Sequence, residues 1–156
     1  MPVLETQLDV HSDEFRQNAA TMQALVDEFR SIEQKVIAKA EEMLPKFRKR
    51  NQLLPRERVE RMLDPNSPYF ELMSLAGYKM HDDKDGSEAG GGVIAGIGYV
   101  QGIRCLIVAN NSAIKGGTIS PAGLHKTLRL QEIIRQNRLP IITLSESGGA
   151  NLMYQA

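Results

Sequence analysis

The sequence predicts an α/β domain preceded by a long helix, and three observations carry that expectation. Ile103 to Ala109 and Ile141 to Leu144 are short β-rich apolar runs separated by a stretch with helical spacing, the pattern of a strand–helix–strand crossover. Val93 to Tyr99 joins the first of these runs through Gln101-Gly102, the signature of a tight hairpin. Asn110 to Thr118 and Ser145 to Asn151 both contain paired glycines and both follow strand ends, so two glycine loops emerge from one edge of one sheet, the usual place for ligand sites in open α/β sheets. At 156 residues and 42% hydrophobic, the chain has the length of one domain with a sizeable core.

From the N-terminus, Ser12 can cap a helix running from Asp13 toward Leu44, with Met22, Leu25, Val26, Phe29, Ile32, Val36, Ile37 and Ala40 near helical spacing. Its other face is highly charged, so it lies on a surface or against a partner, and Pro45 helps to end it. Lys46, Arg48, Lys49 and Arg50 form a basic run ahead of a second helical segment opened by Pro55. Acidic residues are interleaved and Phe47 is the lone nearby ring, so this run reads as a solvated helix whose cations salt-bridge or meet a phosphate rather than as a nucleic-acid patch. Asp64 to Pro68 is a turn and Tyr69 to Leu75 a short apolar stretch.

His81 to Gly92 is polar and glycine-rich and is expected to be an exposed loop. Asp82, Asp83 and Asp85 lack the terminal bidentate Glu of a calcium loop, and His11, His81 and His125 are scattered, so no metal is expected. Gly96-Ile97-Gly98 misses the dinucleotide fingerprint, because its third glycine comes one place late and a strand follows instead of a helix. Ser120-Pro121 opens a helix with an apolar face of Leu124, Leu128, Leu130, Ile133 and Ile134, and His125, Lys126 and Arg129 lie near one another on this helix, one turn apart. Ile141 to Leu144, apolar throughout, is expected to be buried on both faces of a parallel sheet.

In Ser145 to Asn151, Gly148 and Gly149 remove two side chains in succession, so a ligand can approach the backbone there. If a helix begins here with Ser147 as its cap, those amides also lie at the positive end of its dipole. The residues are equally compatible with an ordinary turn whose glycines serve tight packing. A serine nucleophile elbow is excluded in its usual form, since position 145 is Ser where that motif needs Gly.

Nineteen basic and nineteen acidic residues cancel, so no global field recruits nucleic acid or an anionic membrane. No run reaches membrane-spanning length. The single cysteine, Cys105, sits in an apolar run and reads as a reduced structural thiol. The first residues are acidic and carry no secretory signal, so the expected location is cytoplasmic, or the mitochondrial matrix where a transit peptide has been removed.

Taken together, Leu53-Leu54-Pro55-Arg56-Glu57-Arg58-Val59, Leu63-Asp64-Pro65, Gly91-Gly92 ahead of Gly96-Ile97-Gly98, Lys115-Gly116-Gly117-Thr118, the Lys126 to Glu132 helix and Glu146-Ser147-Gly148-Gly149-Ala150-Asn151 resemble the carboxyltransferase (β) subunits of biotin-dependent acyl-CoA carboxylases. The last motif looks like the methylcrotonyl-CoA and geranyl-CoA branch, and Ile119-Ser120 leans toward the geranyl-CoA type. The resemblance implies a crotonase-like fold of repeated ββα units. It also implies transfer of a carboxyl group from carboxybiotin, carried on a partner subunit, to the enolate of a coenzyme A thioester, without a metal in this chain. Its expected partners are the biotin carboxylase or biotin carrier subunit, further copies of the carboxyltransferase subunit and the acyl-CoA.

Enolising a thioester develops charge on its carbonyl oxygen, and one fixed backbone donor aimed there is worth about 3–4 kcal/mol of barrier. Gly148 and Gly149 are the expected donors, with Ala150 shaping the same turn. Lys115, Gly116, Gly117, Thr118, Lys126 and Arg129 are the expected CoA contacts. Residues 1–50 read as an N-terminal helical extension and 51–156 as the first part of the carboxyltransferase N-terminal domain. Family subunits are much longer, so the chain reads as a fragment that is inactive alone. Two alternatives stand beside this reading: another crotonase-fold acyl-CoA enzyme, a decarboxylase or hydratase, and a non-catalytic module that binds a carboxylase partner.

Overall fold

In the computed structural model, which describes residue 6 and residues 8–81 and 83–150, four helices surround a four-stranded sheet. The helices are α1 (Asp13–Glu41), α2 (Leu44–Lys49), α3 (Pro55–Met62) and α4 (Pro121–Asn137), and the strands are β1 (Phe70–Glu71), β2 (Val93–Val100), β3 (Ile103–Asn110) and β4 (Ile141–Leu144). Sheet order follows sequence order; β1–β2 and β2–β3 are antiparallel, and β3–β4 is parallel across the α4 crossover. The expected α/β class and crossover are therefore present.

Strand alternation sorts the core into two faces. Ile94, Cys105, Ile107 and Ala109 pack with Val59 of α3 on one side. Val93, Ala95 and Leu106 pack with Leu130 of α4 on the other. Cys105 is buried, and burial pushes its thiol above the usual range, as suits a structural residue. Gln101 and Gly102 both have positive φ, 53° and 74°, and both of their N–H groups donate to the Asp64 carboxylate at 2.7 Å. The hairpin turn is thus clamped by the Leu63-Asp64-Pro65 segment. Gly96 and Gly98 are explained by packing: a Cβ at either would fall on the Tyr69 ring or the Leu63 side chain.

Three expectations are corrected. Pro45 does not end the first helix: α1 stops at Glu41, and Pro45 sits in the first turn of α2, where its missing N–H costs nothing. The segment around His81 to Gly92 is not an exposed loop, since Asp83, Gly86, Ser87, Ala89, Gly90 and Gly91 are buried. Its polarity is consumed internally, because the Asp83 carboxylate accepts from the Lys79 and Glu88 N–H groups, while Gly91 lies against the first turn of α4. Asp82 lies outside the described residues. Finally, β4 is not buried on both faces. It is the edge of the sheet among the described residues, so Ile142 and Leu144 join the α3-side core while Ile141 remains 51% exposed.

On α1, the apolar stripe meets the body only near its C-terminal end, through buried Val36; Met22, Leu25 and Phe29 stay exposed. Among the described residues no helix is long and apolar enough to cross a membrane.

Candidate active site

The parallel pairing of β3 with β4 places their ends side by side, and the two glycine loops that follow are stitched together. The Ser147 hydroxyl donates to the Gly117 carbonyl at 2.8 Å, and the Gly148 N–H donates to the Gly116 carbonyl at 3.0 Å. Ile119 N–H donates to Gly149 O at 2.9 Å within a parallel bridge to Ala150. Asn110, the last residue of β3, accepts the Glu146 N–H through its side chain. This close approach requires glycine at 117, where φ is 67° and a Cβ would stand 2.6 Å from the Glu146 carbonyl oxygen.

The residues expected to form the oxyanion site are brought to one exposed turn, but their amides are not equivalent. That of Gly148 is committed to a backbone carbonyl, so it braces the loops. That of Gly149, at φ 92°, donates to the Ser147 Oγ at 3.1 Å. The Ala150 N–H has no acceptor among the described residues. The helix expected to start at Ser147 falls largely on 151–156, outside the described residues. Glu146, the carboxylate of the turn, is half-buried and paired with Arg58 of α3 at 2.8 Å.

Of the expected CoA contacts, Lys115, Gly116, Gly117 and Thr118 form the first glycine loop, whose Lys115 ammonium lies 2.5 Å from the Glu88 carboxylate. Lys126 and Arg129 do not converge. Arg129 is exposed on α4, whereas Lys126 is 2% exposed and donates to the Val93 carbonyl at 2.6 Å and the Gly90 carbonyl at 3.3 Å. It locks the buried glycine segment to α4.

Burial pushes the Lys126 ammonium down to about 8, against a smaller upward pull from Glu71. Between pH of about 8 and 10.5 the unfolded chain holds a proton that the folded chain has released, so this group's contribution rises with pH through that window. Urea unfolding at pH 7.5 and 9.5 is expected to show a gain of about 1–2 kcal/mol that is absent in Lys126→Met. An identical pH response in both proteins would contradict it.

A cavity of about 510 Å³ opens between α2 and the two glycine loops, lined on the α2 side by Met43, Lys46, Phe47 and Arg50 and on the loop side by Lys115, Gly116, Ser147 and Gly148 among others. Lys46 and Arg50 are not among the expected site residues, although their i, i+4 spacing places them on one helix face. A larger cavity of about 1150 Å³ lies elsewhere, under α1 and beside β1 and α4, lined by residues such as Phe29, Phe70, Met73 and Met80. It touches neither glycine turn, so its size does not make it the reaction centre.

The family profile described as carboxyl transferase domain matches residues 46–156. The chain is 43% identical over 155 residues to the mitochondrial methylcrotonoyl-CoA carboxylase β chain of Arabidopsis thaliana, a match covering 99% of this chain and 26% of the relative. It is 52% identical over 106 residues to the biotin-dependent 3-methylcrotonyl-coenzyme A carboxylase β1 subunit of Mycobacterium tuberculosis, covering 68% of this chain and 20% of the relative. Among solved structures, the geranyl-CoA carboxylase β subunit of P. aeruginosa superposes with a TM-score of 0.88 at 59% identity, over 98% of this chain and 28% of that one. The chain thus spans about a quarter of the length of these relatives.

Proposed function

The chain belongs to the carboxyl transferase domain family, and we propose that it carries the acyl-CoA half of a carboxyltransferase site acting on a branched α,β-unsaturated thioester, geranyl-CoA or 3-methylcrotonyl-CoA. The single observation that carries this reading is the stitched pair of glycine loops, which leaves the Gly149 and Ala150 amides at an exposed turn.

In this reading the thioester carbonyl oxygen takes the place of the Ser147 hydroxyl as acceptor of the Gly149 N–H, and the Ala150 N–H is the second donor. Gly148 holds the geometry by its bond to Gly116. Donors fixed before the reaction need no reorganisation as charge builds on the oxygen, which is why they favour the enolate over the ground-state thioester. In an α,β-unsaturated thioester that charge is delocalised to the γ carbon, where carboxylation occurs. Carboxybiotin on a partner subunit would supply the carboxyl group, and the ureido nitrogen freed as its N–CO₂ bond breaks would take the proton lost from the γ carbon.

The biotin carboxylase or carrier subunit and further copies of the chain are the proposed macromolecular partners, and the exposed Met22, Leu25 and Phe29 of α1 offer them apolar surface. The division into a helical extension, 1–50, and the opening part of the domain, 51–156, belongs to the same proposal. A hydratase needs a free catalytic acid at the turn, and the engagement of Glu146 with Arg58 argues against it.

Calorimetric titration with geranyl-CoA, 3-methylcrotonyl-CoA, propionyl-CoA and free CoA tests the reading. Binding that prefers a branched enoyl thioester is expected, together with no carboxylation turnover by the 156-residue chain alone. Indifference to the acyl group, or no binding by folded protein, would favour the partner-binding module instead.

A further inference from the structure

The four cations of the basic run beside the glycine loops have different fates. Arg48 is spent on Glu57 and on the Gln52 carbonyl, and Lys49 is exposed outside the cavity lining. Lys46 and Arg50 line the 510 Å³ cavity whose far wall is the glycine turn. Positions 43, 46, 47 and 50 follow i, i+3, i+4, i+7 spacing, so buried Phe47 anchors the face on which both cations stand. The other charged groups on this cavity are neutralised: Lys115 faces Glu88 and Glu146 faces Arg58. Among the described residues neither Lys46 nor Arg50 has an ion-pair partner. The cavity therefore has an unneutralised double positive charge at one wall, and its other wall, at Ser147 and Gly148, runs directly into the turn that carries the Gly149 and Ala150 amides.

We propose that Lys46 and Arg50 are the phosphate-holding residues of the acyl-CoA site, gripping the phosphates of the nucleotide end of CoA while its thioester reaches the glycine turn. The inference rests on the acyl-CoA reading and assigns to it two residues of the helical extension. A CoA ester suits this charge pattern because its phosphates sit at one end and its uncharged thioester at the other. Arg50 can grip a phosphate with two parallel N–H donors, and Lys46 adds a compact point charge one helical turn away. The extension is then part of the ligand site, and α2 is set against the loops by Phe47 for that purpose.

The test is calorimetric binding of CoA, dephospho-CoA and pantetheine to the unaltered chain, to the Lys46→Gln/Arg50→Gln double variant and to Lys49→Gln, with circular dichroism confirming the fold of each. The double variant is expected to bind CoA ten- to a hundredfold more weakly, to lose most of the salt dependence of binding, and to bind pantetheine as before. Lys49→Gln is expected to bind CoA normally. Undiminished CoA binding by the double variant overturns the inference and leaves the acyl-CoA reading standing. Equal weakening by Lys49→Gln also overturns it, since that reports a diffuse basic surface. If the unaltered chain binds neither CoA nor pantetheine, both the inference and the acyl-CoA reading fall.

Discussion

In an assembled carboxylase that carries these residues, Gly149→Pro is expected to lower turnover by about 10²–10³-fold, the cost of one missing oxyanion donor. Proline removes the N–H that is proposed to meet the thioester oxygen, and it also forbids the φ of 92°. Gly149→Ala separates the two effects. A Cβ there meets nothing within 4 Å, so alanine has room, keeps the N–H, and suffers only the strain of a positive φ. Alanine is therefore expected to retain most of the activity. If both variants lose turnover equally while melting alike, the donor role of Gly149 is wrong and the glycine is there for backbone shape.

Gly123→Ala is expected to destabilise the fold by about 2–3 kcal/mol, lowering the melting temperature by roughly 5–10 °C. Helix propensity alone argues the reverse, since alanine is preferred to glycine inside a helix by about 1 kcal/mol. The contact decides the sign: a Cβ on Gly123 would drive into the Gly91 carbonyl oxygen, and one on Gly91 would stand 2.7 Å from the Gly123 N. Both partners are backbone, so neither can swing away as a side chain would. The Ser120 hydroxyl, which caps α4 through the Gly123 N–H, lies in the same contact. A melting temperature unchanged or raised would mean that the Gly91 segment moves aside at no cost, and the tight seating of α4 would have to be abandoned.

The sequence by itself was enough for the α/β class, the hairpin, the crossover and the family, because these rest on local periodicity, turn chemistry and motif order. Ser12 and Ser120 cap α1 and α4 as their positions foretold, and Gln101-Gly102 turns the hairpin as its residue types require. It also brought attention to both glycine loops. The tertiary structure alone decided how those loops meet, since a hydrogen bond between Ser147 and Gly117 joins positions 30 residues apart. Charge follows the same rule: Lys126, expected as a CoA contact, is buried and bonded to the Gly90 and Val93 carbonyls, while Lys46 and Arg50, expected in a solvated run that salt-bridges or meets a phosphate, are exposed and line the cavity at the turn. Local pattern reports what a residue prefers, whereas burial, pairing and the availability of an amide depend on which distant segments fold against it.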